Sequence, residues 1–152
     1  MKGYTSETIR NVALVGHGGC GKTTFLESAL LATGVIDRLG KVEDGNTVSD
    51  YDKMEIEKGF SINTSIVPVE WKDSKINFID TPGYFDFIGE VNAALRASEA
   101  AVILVDAGAG IQGQTLRQGF AYCVGEGRFS SAEHLGKIYR GDCRPHRHIA
   151  DA

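Results

Sequence analysis

The sequence predicts an α/β domain with a mostly parallel sheet and helices on both faces. A short apolar run, 11–15, is followed by a glycine-rich loop and then by apolar residues at helical spacing. Strand and helix patterns alternate beyond this unit, which is typical of a parallel sheet. A continuous apolar run, 101–105, indicates a central strand buried on both faces. About four strands are recognisable, so the predicted sheet is small and incomplete.

The first strand, the loop and the first helix occupy residues 11–33. After the loop, apolar side chains recur at helical spacing, and Gly34 supplies a stop signal. The apolar residues are Phe25, Leu26, Ala29 and Leu30. This order of strand, loop and helix is the context that a phosphate-binding loop requires.

A long polar connection, 34–59, follows the first helix. It is rich in glycine and acidic residues and shows little periodicity. A connection of this length in a compact domain is usually functional or disordered. We expect it to become ordered when the terminal phosphate of a ligand is present.

The next two strands are predicted at 66–71 and 75–80, joined by a turn and antiparallel to each other. Pro68 has no N–H for a ladder, so the first of them is expected at a sheet edge. A helix is predicted from about Asp86, and another over 114–122. Gly16, Asp80 and Asp106 follow strand ends, so we expect them to converge on one pocket.

The glycine-rich loop matches the pattern Gly-x-x-x-x-Gly-Lys-[Ser/Thr]. Its glycines allow left-handed backbone angles that turn N–H groups toward an anion, and the following helix adds its positive dipole end. Lys22 supplies a charge for the outer phosphates, and the Thr23 hydroxyl can ligate Mg²⁺. The predicted nucleotide-binding residues of the loop are Gly16, His17, Gly18, Gly19, Cys20, Gly21, Lys22, Thr23 and Thr24.

A second chemical element is Asp-Thr-Pro-Gly at 80–83. The Asp80 carboxylate can hold a metal-bound water, and the Gly83 N–H can meet a terminal phosphate. A plain turn is the alternative, but the position after an apolar strand and downstream of the loop favours function. Ser61 is either a Mg²⁺ ligand or a solvated serine that enters a strand, and the local sequence leaves both open.

Together these motifs resemble the N-terminal part of the GTP-binding domain of elongation factor G and its close relatives, which have the P-loop NTPase fold of translational GTPases. The resemblance runs from about residue 10 to residue 123. It is carried by the loop at 16–24, by Asp-Arg-Leu-Gly-Lys-Val-Glu-Asp-Gly at 37–45, by Asp-Thr-Pro-Gly-Tyr-Phe-Asp-Phe at 80–87 and by Val-Asp-Ala at 105–107.

The resemblance implies Mg²⁺-dependent GTP hydrolysis in translation elongation, with GTP and GDP as ligands and the ribosome as partner. It implies that Lys22 and the loop amides hold the β- and γ-phosphates, and that Gly83 senses the γ-phosphate. By the same resemblance Thr23 and Ser61 ligate Mg²⁺, and Asp80 supports the ion through water.

Several departures from the family bear on activity. Where the family has a metal-ligating threonine in its first switch, this chain has Ser61, which keeps the hydroxyl. Where the family's loop commonly has an aspartate, this chain has Gly19. The family has a histidine that orients the attacking water. At the corresponding position this chain has Tyr84, whose phenol has a different reach and different proton chemistry. Asn-Lys-x-Asp, the family's guanine-reading motif, is absent from the sequence. A nucleotide-binding fragment without effective hydrolysis or base specificity, or a non-functional truncated fragment, is therefore the alternative.

Composition gives broad limits. The 152 residues favour one domain, and a net charge of −4 gives no global reason to bind nucleic acid. No apolar run approaches the ~20 residues of a membrane span. The first residues lack an apolar signal core, and the three cysteines are widely spaced, so a reducing, cytoplasmic location is expected.

The pattern changes near residue 123. Residues 1–123 are predicted to be a partial GTP-binding domain, and 124–152 an atypical tail that is disordered or the product of a lost reading frame. The tail is weakly basic, so RNA contact is one alternative. A metal site from Cys143, His146 and His148 is another, although no fourth ligand is evident.

Overall fold

The structure, a computed structural model, describes residues 3–49 and 52–118. Its helices and strands are, in chain order, β1 (Ile9–Val15), α1 (Lys22–Ala32), a 3-10 helix (Val42–Asp44), α2 (Lys53–Lys58), β2 (Ser65–Trp71), β3 (Ser74–Asp80), a second 3-10 helix (Phe85–Phe87), α3 (Ile88–Arg96) and β4 (Ala100–Ile103). Residues 113–118 are also helical. The predicted boundary at residue 123, the tail and its candidate metal ligands lie outside the described residues.

The four strands form one mixed sheet in the order β2-β3-β1-β4. β1 runs parallel to β3 and to β4, while β2 and β3 pair antiparallel from Ser65 opposite Asp80 to Trp71 opposite Ser74. β2 lies at the edge, where the missing N–H of Pro68 costs no ladder hydrogen bond. The predicted antiparallel pair and its edge position are confirmed.

The two longer helices cover opposite faces of the sheet. Leu14 points toward α1 and packs with Leu26 and Leu30, whereas Ala13 and Val15 pack with Val91 and Leu95 on the α3 side. Successive side chains of a strand alternate between faces, so β1 needs apolar residues at all three positions. The predicted two-sided α/β architecture is confirmed, and the site is built at the carboxyl end of β1.

The last strand is shorter and less enclosed than its apolar run predicts. The run 101–105 was expected to form a central strand, but β4 ends at Ile103 and lies at an edge of the four-stranded sheet. Ile103 and Val105 are 41% and 42% exposed, and within residues 3–49 and 52–118 no strand pairs with the outer side of β4. The helix expected from about Asp86 is confirmed: it begins with the 3-10 turn Phe85–Phe87 and continues as α3 from Ile88.

The long connection between α1 and β2 is more ordered than its composition suggests. It contains the 3-10 helix Val42–Asp44 and the short helix α2. Asp52 caps α2 by accepting a hydrogen bond from the Met54 N–H, and Gly59 ends it in the left-handed conformation. The connection therefore contains defined secondary structure, and its ordering by a terminal phosphate stays a prediction.

Candidate nucleotide-binding site

The loop between β1 and α1 has the backbone geometry that its glycines predict. Gly16, Gly19 and Gly21 have φ angles of 152°, 79° and 90°, a range that residues with a Cβ rarely adopt. Gly16 is also crowded, since a Cβ there would lie 2.5 Å from the Leu104 carbonyl oxygen and 2.6 Å from the Cys20 sulfur. Glycine is therefore required at this position both for its angle and for space.

Lys22 is the first residue of α1, and its side chain folds back over the loop. Its ammonium donates hydrogen bonds to the carbonyls of Gly16 and His17, at 3.1 and 3.0 Å. The side chain is only 7% exposed. Burial lowers the pKa of Lys22, and the nearby Cys20 and Asp80 side chains partly oppose that shift. A buried ammonium at a helix start is a strong attractor for phosphate.

The end of the phosphate loop is joined to the end of β3. The Thr23 hydroxyl donates to the Asp80 carboxylate at 2.9 Å, and both side chains are buried. The Thr81 hydroxyl donates to the Leu14 carbonyl at 2.6 Å, which fixes the segment after β3 against β1. A hydroxyl and a carboxylate are hard oxygen donors of the kind Mg²⁺ prefers, so these residues fit that ion.

Gly83 brings the Asp-Thr-Pro-Gly segment into contact with the phosphate loop. A Cβ built at Gly83 would lie 2.6 Å from the Gly18 nitrogen and 2.6 Å from the Lys22 ammonium nitrogen. Any larger residue would displace backbone atoms of the loop. The close approach places the backbone of Gly83 beside the charged group that the sequence assigns to the phosphates.

These segments surround one pocket with a volume of about 290 Å³. Its lining includes predicted residues from three separate segments, namely Gly18, Gly19, Gly21, Lys22, Thr23, Thr24, Ser61, Gly83 and Tyr84. Gly16, His17, Cys20 and Asp80 stand behind this lining and contact it through Lys22 or Thr23. Asp106, which was expected to converge on the pocket, is not in its lining and instead accepts hydrogen bonds from the Gly108 and Ala109 N–H groups.

Tyr84 forms an aromatic contact across the pocket mouth. Its ring centroid lies 4.5 Å from that of Phe60, with the rings tilted by 54°. The same ring lies against Gly18, where a Cβ would come within 3.1 Å of it. Tyr84 thus contacts both the phosphate loop and the segment that carries Ser61.

Four lining residues were missed by sequence reasoning: Val42, Glu43, Gly59 and Phe60. Phe60 adjoins Ser61, so a search of the neighbours of the predicted metal ligand would have found it. Val42 and Glu43 lie in the stretch 37–45, which contributes to the family resemblance but was assigned no role at the site.

The fold and the site define a P-loop α/β domain of the nucleoside-triphosphate-binding class. The chain belongs to the family of the elongation factor Tu GTP-binding domain, whose sequence pattern matches residues 7–121. The resemblance to elongation factor G is confirmed by its relatives. The chain is 47% identical over 109 residues to elongation factor G of Granulibacter bethesdensis, a match that covers 72% of this chain and 16% of that protein.

Further relatives agree. The chain is 46% identical over 108 residues to the mitochondrial ribosome-releasing factor 2 of Danio rerio, covering 71% of this chain and 14% of that protein. A crystal structure of a protein from Thermus thermophilus superposes with a TM-score of 0.73 at 41% identity, covering 76% of this chain and 17% of the other. The chain thus spans about one sixth of the length of the proteins it matches.

Within residues 3–49 and 52–118, no helix is long and apolar enough to cross a bilayer.

Proposed function

We propose that this chain binds GTP and GDP together with Mg²⁺, and that it supports GTP hydrolysis of the elongation factor G type. The observation that carries the proposal is the convergence of Lys22, the Thr23–Asp80 pair and Gly83 on one pocket. Two segments far apart in sequence supply a cation, oxygen ligands and a backbone approach at one place. Phosphoryl transfer needs mainly this positioning and charge neutralisation.

The roles of the residues follow from their chemistry. The loop amides and the Lys22 ammonium bind the β- and γ-phosphates, and the Gly83 N–H meets the γ-phosphate. Thr23 and Ser61 would hold Mg²⁺ through their hydroxyls, and Asp80 would orient a water bound to it. When bound, Mg²⁺ neutralises charge on the phosphates.

Translation elongation and the ribosome are proposed for the whole protein of which such a domain forms part. The supporting observation is the set of relatives, which are named as elongation factors and a ribosome-releasing factor. The matched region covers 14% to 16% of these three relatives.

A second candidate function is nucleotide binding without effective hydrolysis. Tyr84 favours it, because a phenol in tilted contact with Phe60 replaces the imidazole that orients water in the family. Asn-Lys-x-Asp does not occur within the 152 residues, and the candidate residues in them read phosphates and not the base.

Calorimetric titration of the purified 152-residue chain with GTP, GDP and ATP, with and without Mg²⁺, tests the proposal. We expect Mg²⁺-dependent binding that Lys22→Ala abolishes. Arg96→Ala is the matched control, because it also removes one positive charge but from an exposed site on α3. Release of inorganic phosphate from GTP then separates hydrolysis from binding alone. If no purine nucleotide binds to the folded chain, the proposal is wrong.

A further inference from the structure

A buried carboxylate on α1 holds part of the long connection. Glu27 is 1% exposed, and each of its oxygens accepts a backbone hydrogen bond. Oε2 accepts from the Gly40 N–H at 2.9 Å, and Oε1 accepts from the Val48 N–H at 2.6 Å. Hydrogen bonds to an ionised carboxylate are about twice as strong as neutral ones, and a buried group that loses its partner is costly.

Gly40 and Val48 are the two ends of one loop. Inside it, the Lys41 N–H donates to Asn46 Oδ1 at 2.7 Å, and the Gly45 N–H donates to the Val42 carbonyl at 3.0 Å. The segment 40–48 is therefore an Ω-shaped loop, closed at its base by one side chain. Its own short-range bonds shape the tip, while Glu27 bridges the two ends to α1.

The tip of this loop reaches the candidate nucleotide site. Val42 and Glu43 line the same pocket as Gly19, Gly21 and Lys22. Because α1 begins at the phosphate loop and also carries Glu27, the helix links the two sides of the pocket. The two ends of the loop, which bond to Glu27, and the part of the pocket lining formed by Val42 and Glu43 therefore belong to one short segment.

We propose that Glu27 is a positioning residue that clamps the loop 40–48 and thereby sets one wall of the nucleotide pocket. The inference deepens the proposed function and rests on it for the identity of the ligand. Glu27 is not part of the pocket lining; it acts through the Gly40 and Val48 amides. When the clamp is broken, only a fraction of molecules present the pocket in its binding form, and the apparent Kd rises by the inverse of that fraction.

The chain offers a matched control in Glu55. This carboxylate is also buried, at 2% exposure, but its Oε1 alone accepts from both the Ile62 and the Asn63 N–H, at 2.8 and 2.9 Å. A glutamine has one acceptor oxygen and an NH₂ group. Glu55→Gln can keep both bonds, whereas Glu27→Gln turns an NH₂ toward one of the two loop amides. The same chemical change thus breaks one clamp and spares the other.

The loop side supplies a second way to break the clamp. A Cβ at Gly40 would lie 2.7 Å from Glu27 Oε2 and 2.7 Å from the Asn46 carbonyl oxygen. Gly40→Ala therefore separates the loop from the carboxylate without altering the buried charge on α1. It serves as the test if Glu27→Gln does not fold.

The test combines hydrogen exchange with binding of Mg²⁺ and GDP to the full 152-residue chain. In Glu27→Gln and in Gly40→Ala we expect faster hydrogen exchange at the backbone amide of residue 40 or of residue 48. We also expect the Kd for GDP to rise about tenfold, which corresponds to a binding-competent fraction of about one tenth. Glu55→Gln is expected to change neither value by more than about twofold.

Two results overturn the proposal. The clamp would be excluded if the backbone amide hydrogens of residues 40 and 48 exchanged as slowly in both variants, Glu27→Gln and Gly40→Ala, as in the parent chain. Faster exchange with an unchanged Kd would exclude the positioning role. If the parent chain binds no nucleotide, the proposed function and the positioning role both fail, while the exchange rates still decide whether Glu27 clamps the loop.

Discussion

The hydroxyl of Thr23 donates a hydrogen bond to the carboxylate of Asp80, with 2.9 Å between the two oxygens. The contact joins the start of α1 to the end of β3, across 57 residues of sequence. Both residues were predicted as parts of a Mg²⁺ site from separate motifs. Their contact makes the two motifs one unit, so the loss of either side chain is expected to affect metal-dependent binding.

Thr23→Ala is expected to weaken Mg²⁺-dependent nucleotide binding by about 10- to 100-fold, the range seen when groups that orient a metal site are removed. The reason is that alanine removes an oxygen ligand and also the hydrogen bond that fixes Asp80. Titration with GDP at a series of Mg²⁺ concentrations measures the effect. Thr23→Ser retains the hydroxyl and is the control; equal losses in both variants would contradict the metal role.

Tyr84 gives a prediction about turnover. Replacing it with histidine restores the water-orienting group of the family, so single-turnover hydrolysis of GTP by Tyr84→His is expected to be faster than that by the parent chain. Tyr84→Phe keeps the ring that packs on Phe60 but has no hydroxyl, and it is expected to show no gain. An unchanged rate in Tyr84→His, with nucleotide still bound, would count against the role assigned to this position.

The buried ammonium of Lys22 predicts that the parent chain and a variant with a neutral residue at this position differ in unfolding free energy, by an amount that depends on pH. Because burial lowers its pKa in the folded chain, the unfolded chain binds more protons between that pKa and the ordinary value of 10.5. Burying the charged ammonium therefore lowers the free energy of unfolding by its full amount at any pH below the pKa of Lys22 in the folded chain. This destabilisation disappears as the pH rises toward 10.5. Lys22→Met has a neutral side chain of similar length.

We expect Lys22→Met to be more stable than the parent chain at about pH 7, and its advantage to shrink as the pH rises. Urea unfolding of both chains at a series of pH values, without nucleotide, measures the difference in unfolding free energy. Arg96→Met, at an exposed site, should show no such trend. An advantage for Lys22→Met that grows with pH would have the wrong sign and would reject the assignment.

The parts of the fold that were predictable are those encoded locally. The phosphate loop depends on glycines adjacent in sequence, and the antiparallel pair β2–β3 depends on a short turn with Pro68 at the edge. Glu27 shows the opposite case. An acid on a helix is usually solvated, and its buried state follows only from amides 13 and 21 residues further along. No spacing rule connects such partners.

The position of β4 shows a second limit. An apolar run predicts burial, but it carries no information about whether a strand pairs on one side or on both. Among residues 3–49 and 52–118, β4 pairs only with β1, and Val102 packs against the α1 core while its neighbour Ile103 is 41% exposed. The apolar pattern identified the strand correctly and misplaced it within the sheet.

This exposed edge leads to a last prediction. An apolar edge strand offers unpaired backbone groups and side chains to other molecules, and a lysine on such an edge opposes that association. Ile103→Lys is therefore expected to reduce concentration-dependent self-association, measured by sedimentation velocity, with little change in thermal stability. Val102→Lys is the matched control: it places the same charge on the packed side of the strand and should destabilise the fold by about 2 kcal/mol or more. Equal destabilisation by both lysines would mean that Ile103 is packed in the folded chain, and would contradict its exposed position.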